Sequence, residues 1–176
     1  MYFAIQVSNP KVLQPNDKEF NDFAELIEAI FPMQTEDVFL IWNWVPVRLN
    51  YKYDLSVMIE DLIPLLAKLI DSDSGSHRVY WGSNTFRAEW IIDWANGQLN
   101  IASQWDSIAG NYEELLNSRS KLEISQDLFL REWKALLRKI VELIDNMNII
   151  VTDTDNLNNL IKIENSIPLF SKRYSQ

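Results

Sequence analysis

Residues 86–106 read FRAEWIIDWANGQLNIASQWD, and the fold follows from this stretch. Apolar and polar residues alternate on both sides of Asn96 and Gly97. Asn-Gly is the preferred pair in a two-residue β-hairpin turn, because that turn requires a positive φ at both positions. The pattern therefore predicts an antiparallel hairpin whose strands meet at this turn.

The two-residue turn fixes which residues face each other across the hairpin. On one face the predicted pairs are Trp94–Leu99, Ile92–Ile101, Trp90–Ser103 and Ala88–Trp105. On the other face they are Asp93–Asn100, Ile91–Ala102, Glu89–Gln104 and Arg87–Asp106. The first face is apolar and the second mostly polar, which predicts a sheet that packs on the core through its indole rings.

The segments around the hairpin predict an α+β fold. Helices are expected at 16–31, 54–70 and 126–147, where apolar residues recur every three or four positions behind the capping residues Asn16, Asp54 and Ser125. Extended segments are expected at 2–8, 38–42, 47–53, 79–81 and 122–124, with Pro46 at a bulge or strand edge. Because strands do not alternate regularly with helices, we predict a mainly antiparallel sheet of five to six strands with three main helices packed on it.

The chain length suits one domain. Residues 1–164 are expected to form a single α+β domain, and residues 165–176 are expected to form a loose tail. Within the domain, residues 71–76 read DSDSGS and predict a polar loop between the second helix and the next strand.

Composition restricts the possible functions. The 176 residues carry a net charge of −9 and include seven Trp, one His and no Cys. The lack of Cys excludes disulfides and thiolate chemistry, and the acidic balance argues against binding to nucleic acid or to an anionic membrane. With no signal-peptide pattern at the start and no apolar run near the roughly 18 residues that span a bilayer, a cytoplasmic location is predicted.

The sequence lacks the residue sets of common enzymes. His77 is the only histidine, and no G-x-S-x-G motif supplies a nucleophilic serine. The four glycines form neither a Walker nor a Rossmann loop, and Asp153, Asp155 and Glu164 match only part of an EF-hand. We therefore expect no cofactor and no metal, and we expect His77 to lie on the surface at the edge of a polar loop.

Acidic residues are concentrated in one part of the chain. Residues 16–37 contain seven acids and one base, and Asp22, Glu25 and Glu28 follow each other at three-residue spacing opposite the apolar stripe of the first helix. Solvated helix faces commonly look like this, but such a face can also dock a basic protein. Trp44 follows Trp42 on the same side of its strand and Trp81 lies beside a turn; both are expected to be partly exposed, which would add aromatic contacts.

Two functional hypotheses follow. The first is a non-catalytic acidic binding protein of the inhibitor or immunity type, which neutralises a basic partner such as a toxin nuclease through Asp22, Glu25, Glu28, Trp44 and Trp81. The alternative is a small enzyme or small-ligand binder that uses a Trp-lined cleft, with Glu89, Asp93, Trp90 and Trp105 as its residues. The sequence does not indicate an oligomeric state.

Overall fold

The computed structural model describes residues 2–15, 19–33, 35–147, 150–151 and 155–168. Its strands are β1 (Phe3–Gln6), β2 (Glu19–Phe20), β3 (Val38–Trp42), β4 (Val45–Leu49), β5 (Ser74–Gly82), β6 (Phe86–Ala95), β7 (Gln98–Ile108), β8 (Lys121–Ser125) and β9 (Ile150–Val151). Its α-helices are α1 (Phe23–Ile30), α2 (Ser56–Asp71), α3 (Glu113–Asn117), α4 (Gln126–Asp145) and α5 (Asp155–Ser166). A π-helix, Tyr51–Leu55, leads directly into α2.

The α+β class is confirmed, but the strands do not form one sheet of five to six strands. They form a three-stranded antiparallel sheet in the order β1-β3-β4 and a four-stranded antiparallel sheet in the order β5-β6-β7-β8. A third pairing joins β2 and β9 in parallel. The three-stranded sheet is also tied to the connection between α3 and β8, since the Trp42 indole N–H donates to the Arg119 carbonyl over 2.8 Å.

The predicted hairpin register is confirmed from Ala95–Gln98 as far as Ala88–Trp105. Beyond that point the register shifts, and Arg87 lies opposite Ser107 rather than the predicted Asp106. The bulge adds one residue to β7, so that both Trp105 and Ile108 face the core at 2% exposure although they are three positions apart.

Five aromatic side chains form a cluster that joins the two sheets. In the core, the Trp42 ring of β3 lies 5.0 Å from the Trp90 ring and 5.4 Å from the Trp105 ring, measured between centroids. Trp81 and Phe86 complete the cluster with edge-to-face contacts, and Phe3 packs on α4 through Phe129. These contacts explain why so many of the tryptophans lie in the interior.

The three-stranded sheet is covered on one face only. Burial alternates along β3, and Phe39 is 37% exposed. Pro46 lies in β4, an edge strand, which confirms the prediction for this residue.

The predicted polar loop at residues 71–76 is wrong. Helix α2 ends at Asp71 and β5 already begins at Ser74. The reason is Trp94, whose ring lies directly over Gly75 and whose indole N–H donates to the Ser72 carbonyl over 3.0 Å. An aromatic ring across a strand glycine keeps an otherwise weak strand residue in the sheet.

The helix boundaries also differ from the prediction. Helix α1 begins at Phe23, where Asp22 caps it by accepting the Glu25 N–H over 2.8 Å, and the predicted cap Asn16 lies outside the described residues. The predicted strand at 47–53 ends at Leu49, and Asn50 caps the π-helix that follows. Helix α4 begins after the predicted cap Ser125, which is confirmed.

At the C-terminal end, α5 packs against α2 and α4. Ile167 is 1% exposed, and its carbonyl accepts a hydrogen bond of 2.7 Å from the Lys134 ammonium group. Packing therefore reaches three residues beyond the predicted domain end at residue 164, whereas residues 169–176 of the predicted tail lie outside the described residues.

Candidate functional site

The turn between β3 and β4 has an unusual residue at its tip. Asn43 and Trp44 form this two-residue turn with φ values of 46° and 72°. Asn96 and Gly97 form the hairpin turn of the other sheet with nearly the same values, 52° and 74°. The second position of this turn favours glycine, because a side chain with a Cβ is strained there by about 1–2 kcal/mol.

Hydrogen bonds to Tyr2 and to residues 119–121 hold this turn in place. The Asn43 side-chain amide donates to the carbonyls of Arg119 (2.9 Å) and Lys121 (2.7 Å), and its oxygen accepts the Tyr2 N–H. The Arg119 guanidinium in turn donates to the Asn43 carbonyl over 2.8 Å. Four hydrogen bonds thus fix the backbone on which Trp44 is carried.

The Trp44 ring points into solvent. It is 70% exposed and stacks on the ring of Tyr2, with centroids 4.1 Å apart and an angle of 7° between the planes. Trp42, two residues earlier, is completely buried. The sequence prediction that Trp44 is exposed is confirmed, and the structure adds Tyr2 as the second ring of an aromatic tip, defined here as Trp44 and Tyr2.

A second candidate surface lies between α1 and α2. Four carboxylates line a shallow groove of about 370 Å³, and its remaining lining comes from Ala24, Ser56 and Val57. The four are Asp22, Glu25, Glu28 and Glu60. We call these residues the acidic groove; the sequence predicted three of its acids and missed Glu60, because only the packing of α2 on α1 brings it there.

The four carboxylates do not have the same freedom. Asp22 caps α1, and Glu25 accepts from the backbone and side-chain N–H groups of Asn21 at 2.9 and 3.0 Å. The carboxylates of Glu28 and Glu60 have no hydrogen bond or ion pair to any described residue. These two groups are therefore the ones available to a cation from outside the chain.

The acidic groove continues into a hollow of about 420 Å³ that shares Glu28, Ser56 and Val57 with it. Tyr53 and the segment 82–85 line the far side. Tyr53 is 42% exposed and Val57 is 48% exposed, so partly apolar surface lies next to the free carboxylates. This mixture of charge and exposed apolar side chains is common at protein interfaces.

The π-helix beside the acidic groove and this hollow is held in place by Asp54. Asp54 is 1% exposed, and its carboxylate accepts the Asn50 N–H at 2.7 Å and the Thr85 hydroxyl at 2.6 Å. The Ser83 hydroxyl also donates to it. Asp54 thus ties the start of α2 to the β5–β6 connection. It does not act as the simple helix cap that the sequence predicted.

The five residues predicted to bind a partner do not form one patch. Trp44 precedes β4 and the π-helix follows it, so the aromatic tip and the acidic groove lie at opposite ends of this strand, roughly 20 Å apart. Trp81 is completely buried, and the prediction that it is partly exposed is wrong. Alternation with Val79 places both side chains on the core face of β5, a signal that was present in the sequence.

The alternative ligand set is divided between two faces of the four-stranded sheet. Trp90 and Trp105 lie in the core, at most 2% exposed and packed against other rings. Glu89 and Asp93 lie on the open face, where Glu89 pairs with Arg78 over 3.2 Å. The structure therefore does not bring the predicted indoles and carboxylates together.

His77 lies within β5 rather than in a loop. Its Nδ1 is 3.1 Å from the Lys68 ammonium nitrogen. Burial lowers the pKa of His77 below its usual value, and the charge of Lys68 lowers it further, while Asp61 acts in the opposite direction. No carboxylate lies within hydrogen-bond contact of the ring among the described residues, so the dyad of a general base and its orienting acid is not assembled there.

Within the described ranges, no three His, Asp or Glu side chains are grouped closely enough to hold a metal ion. The helices in that part of the chain also fall short of the length and apolar character that a membrane crossing requires. Comparison with models of protein families, with curated proteins and with solved structures finds no match to this chain.

Proposed function

We propose that this chain is a non-catalytic binding protein of the inhibitor or immunity type, which neutralises a basic protein partner such as a toxin nuclease. The observation that carries the proposal is Trp44, a large exposed ring held at a backbone position that favours glycine. The strain and the exposure are both unfavourable to the isolated chain, and strained residues of this kind are concentrated at functional sites.

The shape of the aromatic tip favours a protein as the partner. Small molecules bind in concave sites that enclose most of their surface. A ring at the tip of a two-residue turn is convex, so the binding partner must supply the pocket. Trp and Tyr are also the residues that most often dominate protein interfaces, because they bury a large area at a small cost in conformational entropy.

The acidic groove favours a basic partner. The carboxylates of Glu28 and Glu60 pair with no other described residue, and the chain carries a net charge of −9. A field of this sign accelerates the approach of a positively charged protein and repels nucleic acid. Lysine or arginine side chains of the partner would pair with the free carboxylates, while Val57 and Tyr53 would contact their aliphatic parts.

The test measures association with a panel of purified basic nuclease toxins, together with inhibition of their activity. For a toxin that the wild type binds, Trp44→Gly should raise Kd by at least about tenfold, mainly through faster dissociation. The pair Glu28→Lys and Glu60→Lys should slow association about tenfold at 50 mM salt and much less at 500 mM.

Two controls make the outcome specific. Met33→Ala truncates an equally exposed apolar side chain, at 69% exposure, and should leave Kd unchanged. Asp93→Lys with Glu114→Lys changes the net charge by the same amount outside the acidic groove and should have a smaller effect on association. The proposal fails if no toxin of the panel binds, or if the site variants behave like their controls.

A further inference from the structure

Three of the four edges of the two larger sheets are closed by side chains. At the edge of β1, the Glu132 carboxylate accepts the Ile5 N–H over 2.8 Å. On β4, Pro46 has no N–H and its carbonyl accepts the Tyr112 hydroxyl over 2.9 Å. On β8, the Lys121 carbonyl accepts the Asn43 amide. Closed edges of this kind prevent unwanted pairing with other chains.

The fourth edge, β5, is different. The turn makes Ala95 and Gln98 a hydrogen-bonded pair, so alternate residues of β6 bond to β7 and the others bond to β5. Given the register of β5 on β6, the N–H and C=O groups of Ser76, Arg78 and Tyr80 point away from the sheet. No hydrogen bond to these backbone groups is found among the described residues.

Apart from the charge of Arg78, β5 has none of the features that blunt a sheet edge. The strand is nine residues long, pairs with β6 without a register shift, and contains neither Pro nor Lys. Tyr80 is 52% exposed on the open face of the sheet, and Arg78 lies beside it, held by Glu89. Long regular edges without such features are the ones that accept a further strand.

We propose that β5 pairs with β5 of a second copy of this chain, antiparallel and around a two-fold axis, so that two four-stranded sheets join into one of eight strands. Two-fold pairing of the same segment is the simplest closed arrangement for an open edge. The interface lies on a different element from Trp44, Glu28 and Glu60, so it is independent of the proposed partner site.

Side-chain chemistry fits a second copy and favours one register over its neighbour. When Arg78 lies opposite Tyr80 of the second copy, each guanidinium meets a phenol ring, and the two-fold axis repeats this favourable contact. The neighbouring register, with Arg78 opposite Arg78, would bring like charges together. The favoured register also places Ser76 opposite Gly82, and about eight backbone hydrogen bonds cross the interface.

The expected dimer is weak, because backbone hydrogen bonds contribute modestly and little apolar area is buried. With Kd on the order of 100 µM, below about a tenth of the chains pair at 5 µM and roughly 70% pair at 500 µM. Because each copy carries −9, added salt should strengthen the dimer. The salt dependence is thus opposite to that expected for the acidic groove.

Sedimentation velocity from 5 to 500 µM tests the inference on the intact chain. Tyr80→Lys places a cation opposite Arg78 of the second copy and should weaken pairing at least tenfold, whereas Tyr53→Lys makes the same change on another surface and should not weaken it. Arg78→Pro removes an edge N–H that makes no hydrogen bond to any described residue, and it should abolish the dimer while the tryptophan fluorescence of the folded state persists.

The pairing register can be tested separately by a distance between two spin labels. The chain has no Cys, so a single cysteine at Ser76 can carry a nitroxide label. In the proposed register the two labelled positions lie six residues apart along the paired strands, about 20 Å, against about 13 Å for the register that opposes Arg78 to Arg78. A chain that stays monomeric at 500 µM, or a Tyr80→Lys variant that pairs like the wild type, overturns the inference and leaves the edge to a strand of another protein.

Discussion

At the residue scale, the two two-residue turns have nearly the same backbone conformation but different residues at the second position. Gly97 satisfies the positive φ of its turn with no strain, and nothing lies within 4 Å of the position where its Cβ would be. Trp44 occupies the equivalent position of the other turn with a large side chain. Stacking on Tyr2 offsets about 0.5–1.5 kcal/mol of the roughly 1–2 kcal/mol of backbone strain.

The strain at Trp44 can be measured by comparing two truncations. Both Trp44→Gly and Trp44→Ala remove the ring, but only Ala keeps a Cβ at positive φ. The free energy of unfolding, measured by urea denaturation, should therefore be about 1 kcal/mol higher for Trp44→Gly than for Trp44→Ala. At Tyr80, an exposed strand position, the order should reverse, and Gly should be less stable than Ala by about 0.5–1 kcal/mol. The same order at both sites would contradict strain at Trp44.

At the scale of elements, the sequence predicted the helices and strands better than the connections between them. Helix α4 and the hairpin of β6 and β7 follow directly from apolar periodicity, capping and the Asn-Gly turn. The π-helix was predicted as strand, because Tyr51 and Tyr53 continue the alternation of β4. What stops β4 there is Asn50, whose side chain caps the next turn, together with the buried carboxylate of Asp54.

Asp54 should accordingly be one of the most sensitive polar positions in the chain. Asp54→Ala leaves the hydroxyls of Ser83 and Thr85 without their acceptor, and we expect the free energy of unfolding to fall by about 3 kcal/mol. Asp54→Asn keeps the shape and should cost about half as much. Asp93→Ala, at an exposed carboxylate, should change stability by less than about 0.5 kcal/mol, and a similar loss there would refute the special role of Asp54.

At the scale of the whole molecule, long-range contacts decide how the elements assemble. The indole rings of Trp42, Trp90 and Trp105 join the two sheets. Lys134 joins α4 to the end of α5, because its ammonium group pairs with the Glu164 carboxylate at 3.1 Å and donates to the Ile167 carbonyl. Both side chains of this ion pair are largely buried.

Breaking this pair should loosen the C-terminal helix. Lys134→Met leaves the buried Glu164 carboxylate without a counterion, and we expect a loss of about 3–5 kcal/mol in the free energy of unfolding. Arg138→Met breaks the exposed pair with Glu142 and should cost less than about 1 kcal/mol. Faster hydrogen exchange in α5 of the Lys134→Met variant would show that this helix is the part that loosens. Equal losses of unfolding free energy in Lys134→Met and Arg138→Met would argue against a special role for the buried pair.

The α+β class, the hairpin register as far as Ala88–Trp105, the cap of α4 and the exposure of Trp44 could be predicted from the sequence, because each depends on residues close together in the chain. The division of the strands into two sheets, the position of Glu60 beside the acids of α1 and the open edge of β5 are seen only in the tertiary structure. These features depend on contacts between segments far apart in sequence, and local alternation or helical periodicity carries no information about which distant segments will meet.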